Sequence, residues 1–114
     1  MTVKLFEIYI SGPIEHNPTY DDDFGRAEEI LFELGWAPEK IINPVTLCKN
    51  VGLTEWHECI ALDIEAMPKT AGSLCRLPGW QFSNGSQLEI SIARLRGLKI
   101  YDIDLVERKL IPGQ

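Results

Sequence analysis

Short apolar runs alternate with longer segments of helical periodicity along this chain. The runs at residues 5–10, 40–44, 73–77 and 99–103 are mostly apolar and five or six residues long. Such runs are typical of strands that are buried on both faces of a sheet. The tail at residues 105–111 is a further candidate strand. The pattern therefore predicts four or five strands.

Three longer segments repeat apolar residues at the spacing of an α-helix. Residues 19–34 form the first. Residues 54–67 form the second, with Thr54 as its N-cap, and residues 86–96 form the third, which Gly97 ends. Each segment has one stripe of the kind that a helix buries. The stripes are Phe24, Ala27, Leu31 and Leu34, then Trp56, Ile60, Asp63 and Met67, then Leu88, Ile92 and Leu95.

The alternation of strands and helices predicts the fold class. Strand–helix–strand units have right-handed crossovers and build a parallel sheet with helices on both faces. At 114 residues the chain has the length of one domain, and we predict a single domain over residues 1–114. We expect an α/β flavodoxin-like three-layer sandwich with a four- or five-stranded, mainly parallel sheet of order 2-1-3-4(-5).

Ligands of such sheets bind beyond the carboxyl ends of the strands, at the point where the strand order reverses. In the predicted order this point lies between the first and third strands. The loop after the first strand holds Ser11, Gly12 and Pro13, and the loop after the third holds residues 78–89. We therefore expect the two loops to converge on one crevice. Ser11 and Gly12 could donate to a ligand there, although Gly-Pro is also an ordinary turn signal.

Residues 83–89 form a Ser/Gly-rich turn between the third strand and the last helix. A helix N-terminus offers unpaired N–H groups and a partial positive charge, which suit an anion such as phosphate. Ser83, Gly85 and Ser86 are the candidate donors. The turn therefore predicts a phosphate or nucleotide ligand.

Glu89 has two interpretations. As a nucleophile or base it would stand close to the anion site, in the first helical turn, and the helix dipole would hold it ionised. Alternatively, residues 86–89 form a capping box, in which Glu89 reaches back to the N-cap. The capping box leaves Ser83 and Gly85 unexplained.

Asp63 is the second candidate acid because it lies on an apolar stripe. Burying an unpaired carboxylate is costly, so Asp63 should be hydrogen-bonded or lie at the rim of a site that raises its pKa. The alternative is a structural acid tied to a loop N–H.

Two aromatic residues are weaker candidates. Tyr9 lies near the end of the first strand, so its hydroxyl would point into the crevice or its ring would simply pack in the core. Trp80 follows Pro78 and Gly79, and it would stack on a base or cover the sheet edge.

The charge and composition narrow the class of partner. The net charge of −6 argues against a nucleic acid polymer, whose binding depends on Lys and Arg, but permits one small nucleotide. The acidic run at residues 21–23 reads as a solvated helix start. No segment has the length of a membrane span or the pattern of a signal peptide, so we expect no membrane partner.

The cysteines and histidines give no sign of a metal. Three cysteines with no CxxC indicate a reduced, cytoplasmic protein. Neither His16 nor His57 has zinc-ligand spacing, and the chain has no Walker A or G-x-G-x-x-G motif. We therefore predict no metal and no cofactor.

An ordered set of short motifs resembles the nucleoside 2-deoxyribosyltransferase-like superfamily, and more closely its small bacterial and phage branch. The resemblance spans about residues 5–103. The motifs that carry it are residues 9–14, Asn43-Pro44, Trp56 with Asp63, residues 78–80, and Ser83-x-Gly85-x-x-x-Glu89.

The resemblance implies a flavodoxin-like fold and cleavage of the N-glycosidic bond of deoxynucleosides or their 5′-monophosphates. It implies that Glu89 is the nucleophile at the anomeric carbon, that Asp63 handles the base or sugar, and that Tyr9 lies near the nucleophile. Ser83 falls where the nucleotide-hydrolysing branch has a phosphate-binding serine and the transferase branch has an aspartate. One departure is that residues 15–18 lack the arginines of the nucleotide hydrolases, so that Lys49 or a second subunit would supply the cation.

Three functions follow as hypotheses. The first is N-glycosidic cleavage or transfer on a small nucleoside or nucleotide, through a covalent glutamyl–sugar intermediate. The second is a non-catalytic module that binds a nucleotide or an ADP-ribose-like ligand. The third is an interaction protein without a ligand, in which Glu89 only caps its helix. The resemblance also implies a homodimer or higher homo-oligomer, because relatives complete their sites across a dimer.

Overall fold

A computed structural model describes residues 4–52 and 55–113. The strands of these residues are β1 (Ile8–Ser11), β2 (Ile41–Ile42), β3 (Ser73–Arg76), β4 (Lys99–Asp104) and β5 (Lys109–Pro112). They form one five-stranded sheet in the order β2-β1-β3-β4-β5. Neighbouring strands are parallel except β5, which runs antiparallel to β4. The predicted flavodoxin-like order and mainly parallel sheet are therefore confirmed.

Within the described residues, four α-helices connect and cover the strands. They are α1 (Tyr20–Glu33), α2 (Pro44–Val51), α3 (Trp56–Ala66) and α4 (Asn84–Leu95). None of the helices in the described part of the chain is long and apolar enough to cross a membrane.

Side-chain alternation along β1 divides the core into two clusters. Ile8 and Ile10 point to one face, where they pack with Phe24 of α1. Tyr9 points to the other face, where it packs with Ile90 of α4. Successive strand residues face opposite sides of the sheet, so Ser11 shares the face of Tyr9. This alternation aims two hydroxyl groups of β1 at α4.

Helix α2 was not predicted, because Pro44 was interpreted only as the end of a strand. In the structure Pro44 is the first residue of the helix, where its missing N–H costs nothing. The side chain of Asn43 caps the helix by accepting from Val45 N–H at 3.0 Å. Gly52 closes it in the left-handed conformation, with φ at 73°. The Asn-Pro start and the glycine stop were both visible in the sequence.

The predicted start of the last helix was wrong, and of its predicted stripe only Ile92 packs against the core. The helix begins at Asn84, and its buried residues are Ser86, Glu89, Ile90 and Ala93. Leu88 and Leu95 are 41% and 88% exposed. The hydrophobic pattern placed Leu88 and Leu95 in the core, but α4 buries the polar side chains of Ser86 and Glu89 instead.

The second predicted helix corresponds to α3, which has Glu55 as its N-cap. The proposed N-cap Thr54 and the side chains of Trp56 and His57 lie outside the described residues. Asp63 and Met67 of the predicted stripe are buried, at 5% and 1% exposure.

Candidate active site

Glu89 is the centre of a buried hydrogen-bonded cluster between α4 and β1. The Tyr9 hydroxyl donates to Glu89 Oε2 at 2.5 Å, and the Ser11 hydroxyl donates to Oε1 at 2.8 Å. Both donors stand two residues apart on β1 and so share one face of the strand. Glu89 itself is 5% exposed. The strand thus fixes both oxygens of this carboxyl group.

This arrangement corrects the capping-box interpretation of Glu89. The N-cap of α4 is Ser83, whose Oγ accepts from Ser86 N–H at 3.2 Å. Glu89 therefore lies in the second helical turn, too far along to reach the cap, and its hydrogen bonds go to Tyr9 and Ser11. The expectation that the helix dipole holds it ionised is also wrong in direction. Burial raises the pKa of Glu89 to about 7, against the hydrogen bonds from Tyr9 and Ser11, which lower it.

Asp63 is the second buried carboxyl group of the cluster. Cys48 Sγ donates to Asp63 Oδ1 at 3.7 Å, from α2 to α3. Burial raises the pKa of Asp63 to about 6, while the hydrogen bond from Cys48 acts in the opposite direction. Asp63 thus meets the expectation of a hydrogen-bonded acid with a raised pKa.

The Tyr9 hydroxyl is affected by both carboxyl groups. It donates its proton to Glu89, and the charge of Asp63 also acts on it. Burial first, and then the two carboxylates, raise the pKa of Tyr9 well above its ordinary value. Tyr9 therefore keeps its proton throughout the range in which Glu89 and Asp63 titrate.

No lysine or arginine of the described residues contributes to the pKa shifts of Glu89 and Asp63. The charge of Asp63 also raises the pKa of Glu89, so Asp63, which has the lower pKa, ionises before Glu89. Once both carboxyl groups are ionised, Glu89 can serve as a nucleophile or base.

The loops after β1 and β3 meet beside this cluster. Leu77 N–H donates to the Ser11 carbonyl at 2.8 Å. A Cβ atom at Gly12 would lie 2.7 Å from Leu77, so only glycine permits this approach. Gly79 has φ at 89°, and a Cβ atom there would lie 3.4 Å from Pro13. The structure therefore brings together the two loops that the strand order predicted.

The start of α4 presents the expected polar groups. The Ser83 side chain caps the helix by accepting from Ser86 N–H, and Gly85 lies in the first turn. Ser86 is 1% exposed, and its hydroxyl has no hydrogen-bond partner among the described residues. Ser86 and Glu89 are three residues apart, so they are neighbours on the buried face of the helix. An unpaired buried hydroxyl thus stands one turn before Glu89.

Trp80 lies beside a different cavity. Its ring faces the Arg76 guanidinium, with the central carbon 4.0 Å from the ring centroid. Arg76 in turn forms two bonds of 2.8 Å to Asp102. The adjoining cavity of about 330 Å³ is lined by residues 76–81, Asp102 and Ile103, and by neither Glu89 nor Asp63. The base-stacking role of Trp80 stays a prediction.

Sequence reasoning did not identify Cys48 as part of the cluster. Its helix was missed, so nothing indicated which way its side chain pointed. Lys49, the proposed source of a cation, instead pairs with Asp21 at 2.8 Å on the surface.

Comparison with known proteins identifies a family for this chain but no individual relative. Residues 6–102 match the family described as Domain of unknown function (DUF4406). No curated protein and no solved structure matches the chain. The matched range includes Tyr9, Cys48, Asp63 and Glu89.

Proposed function

This chain belongs to the DUF4406 family of domains of unknown function, and we propose that it cleaves the N-glycosidic bond of a (deoxy)nucleoside or its 5′-monophosphate. The carrying observation is the buried Glu89 carboxyl group, held by Tyr9 and Ser11 beside the second acid Asp63. The resemblance of its motifs to the nucleoside 2-deoxyribosyltransferase-like superfamily supports the same reaction. We use the name carboxyl cluster for Tyr9, Ser11, Asp63 and Glu89.

In the proposed reaction, ionised Glu89 attacks the anomeric carbon of the sugar. The bond from that carbon to the base nitrogen breaks through an oxocarbenium-like transition state, and its electron pair leaves with the base. Asp63, whose pKa lies below that of Glu89, is then ionised and orients a sugar hydroxyl, and the departing base takes its proton from water. Water or a second base then displaces Glu89 from the sugar ester, so two inversions retain the configuration.

The first turn of α4 is the proposed place for a 5′-phosphate. Its N–H groups and positive dipole end suit an anion. The unpaired Ser86 hydroxyl supports a ligand group at this end of the cluster, because a buried donor without a partner is costly. Gly85 leaves the backbone open to close approach, and Ser83 keeps its own hydroxyl proton to donate.

Release of free base tests the proposal. Purified protein is incubated with each deoxynucleoside 5′-monophosphate and with the matching nucleosides, and the base is measured by chromatography. We expect base release, with the monophosphates preferred. No release from any of these substrates, over hours at high protein concentration, would contradict the proposed activity.

The substitution Ser83→Asp is expected to reverse the substrate preference. Aspartate preserves the N-cap but puts a negative charge beside the proposed phosphate. We expect kcat/KM for the monophosphate to fall roughly tenfold or more relative to the nucleoside, since one close repulsion exceeds 1.4 kcal/mol at a partly screened site. Ser83→Asn is the matched neutral control and should keep the preference. If Ser83→Asp and Ser83→Asn show the same substrate preference, the 5′-phosphate does not bind beside residue 83.

The substitution Tyr9→Phe is expected to shift the pH dependence of base release upward. The Tyr9 hydrogen bond lowers the pKa of Glu89, so its removal raises that pKa further and delays ionisation of the nucleophile. A hydrogen bond to a charged group corresponds to about one pH unit or more. Profiles of kcat/KM measure the shift. Tyr20→Phe, in the core cluster on the other face, is the control, and an identical shift there would count against the assignment.

A non-catalytic nucleotide-binding module is the second candidate. It is favoured by two observations: residues 15–18 hold no arginine, and Lys49, the expected phosphate cation, pairs with Asp21. Calorimetry that detects nucleotide binding, with no base released over hours, would favour this candidate.

We further propose a cytoplasmic homo-oligomer. Cys48, Cys59 and Cys75 form no disulfide in the described part of the chain, which suits a reducing compartment. Phe82 and Leu95 are 92% and 88% exposed, which suits a covered face around α4. Light scattering after size-exclusion chromatography measures the assembly, and a monomer at micromolar concentration would contradict it.

A further inference from the structure

Cys48 reaches Asp63 from a neighbouring helix. Its Sγ atom donates to Asp63 Oδ1 at 3.7 Å, within the range of a thiol hydrogen bond. Cys48 is half-buried on α2, whereas Asp63 is almost fully buried on α3. The bond therefore connects α2 to Asp63, one of the two acids of the carboxyl cluster.

We propose that Cys48 is a positioning residue for Asp63. Its thiol proton holds Oδ1 toward α2, so that the other carboxyl oxygen remains available to a ligand. The inference rests on the proposed function for the part that Asp63 plays on a substrate. The hydrogen bond and its effect on the Asp63 carboxyl group can be measured without any substrate.

The Cys48 thiol keeps its proton over the whole range in which Asp63 titrates. Burial, the hydrogen bond with Cys59 and the charge of Asp63 all raise the pKa of Cys48 far above its ordinary range. A thiolate there would face a carboxylate, which both burial and repulsion disfavour. Cys48 therefore remains a donor to Asp63 and does not become a competing anion.

The hydrogen bond from Cys48 favours the ionised form of Asp63. Burial raises the pKa of Asp63, and the hydrogen bond from Cys48 lowers it. Loss of the Cys48 donor should thus raise that pKa further. The titratable and charged groups near Asp63 on the elements packed around it are Tyr9 on β1, Cys48 on α2, Cys59 on α3 itself, Glu89 on α4, and Arg96 at the C-cap of α4.

A titration of Asp63 by nuclear magnetic resonance tests the proposal. The protein is labelled with carboxyl-¹³C aspartate, and the Asp63 signal is assigned by its loss in Asp63→Asn. We expect Cys48→Ala to raise the Asp63 pKa by about 0.5 to 1 unit. Cys48→Ser keeps a donor and should leave the pKa at or below the wild-type value. Cys59→Ala removes the neighbouring thiol and should change it by no more than a few tenths of a unit.

Base release gives the second readout. Cys48→Ala is expected to lower kcat several-fold with little change in KM, and Cys48→Ser to restore it. An Asp63 pKa that is unchanged in Cys48→Ala, or raised equally in Cys48→Ser, would overturn the positioning role. If the pKa shifts as expected but the wild type releases no base, the positioning role stands and the glycosidic function fails.

Discussion

Glu89→Gln is expected to abolish base release while the protein stays folded. Glutamine has nearly the same shape: its amide oxygen can accept from one of the two hydroxyl groups of Tyr9 and Ser11, and its NH2 group can donate to the other. Its amide is a poor nucleophile, so it does not form the sugar ester. We expect kcat to fall on the order of 10³-fold or more, as when other covalent nucleophiles are removed.

Chromatographic base release, with ligand binding measured alongside, checks this prediction. Binding of a nucleoside monophosphate should survive in Glu89→Gln, because the proposed phosphate site lies at the start of α4. Glu29→Gln, an exposed change of the same type on α1, is the matched control and should keep full activity. Turnover near the wild-type rate in Glu89→Gln would exclude Glu89 as the nucleophile.

The second large effect is on the pH dependence of stability. Burial raises the pKa of Glu89 from its ordinary 4.5 to about 7. Between these values the folded protein holds more protons than the unfolded chain, so the free energy of unfolding falls as pH rises. The contribution of Glu89 to the free energy of unfolding is fully present below about pH 4.5 and is lost as the pH rises past 7. Its size is about 3 kcal/mol, at about 1.4 kcal/mol for each pH unit.

Glu89→Gln removes this proton uptake. Relative to the wild type, the variant should gain about 3 kcal/mol in free energy of unfolding between pH 4 and pH 8. The comparison cancels the titration of most other groups, which both proteins share. The raised pKa of Asp63 has the same sign and remains in the variant.

Urea unfolding at several pH values, followed by circular dichroism, measures the difference. Glu29→Gln should track the wild type at every pH. A stability difference between wild type and Glu89→Gln that does not change with pH would mean that Glu89 titrates normally in the folded protein.

The fold could be predicted because its signals are local and strong. The runs around Ile8 and Leu74 are apolar on both faces, as strands of a covered parallel sheet must be. The glycine and proline breaks separated them from the helices. Alternation of the elements then left few topologies, and the observed strand order is among them.

The face of α4 could not be predicted from its hydrophobic pattern. Leu88 and Leu95 are exposed, whereas Ser86 and Glu89 are buried. A pattern rule assigns leucines to the core because it assumes that polar side chains find no partners there. Partners for Glu89 exist only because β1 aims Tyr9 and Ser11 at it, which depends on tertiary structure.

Cys48 illustrates a second limit. Its hydrogen bond to Asp63 joins residues 15 positions apart on two helices. Such a contact has no periodic signal, and it becomes visible only when α2 and α3 are packed together. Asp63 itself could be found, because an acid on an apolar stripe is costly and so requires an explanation.

Direct detection of a sugar on Glu89 tests the central claim most closely. The wild type is incubated with a 2′-fluoro-substituted deoxynucleoside 5′-monophosphate, since fluorine disfavours the positive charge of the transition state and slows turnover of the ester. The reaction is quenched in acid, digested and analysed by mass spectrometry. We predict a sugar phosphate on the peptide that contains Glu89, and none in Glu89→Gln. Base release by the wild type with no sugar on Glu89, or with the sugar on another residue, would contradict the account.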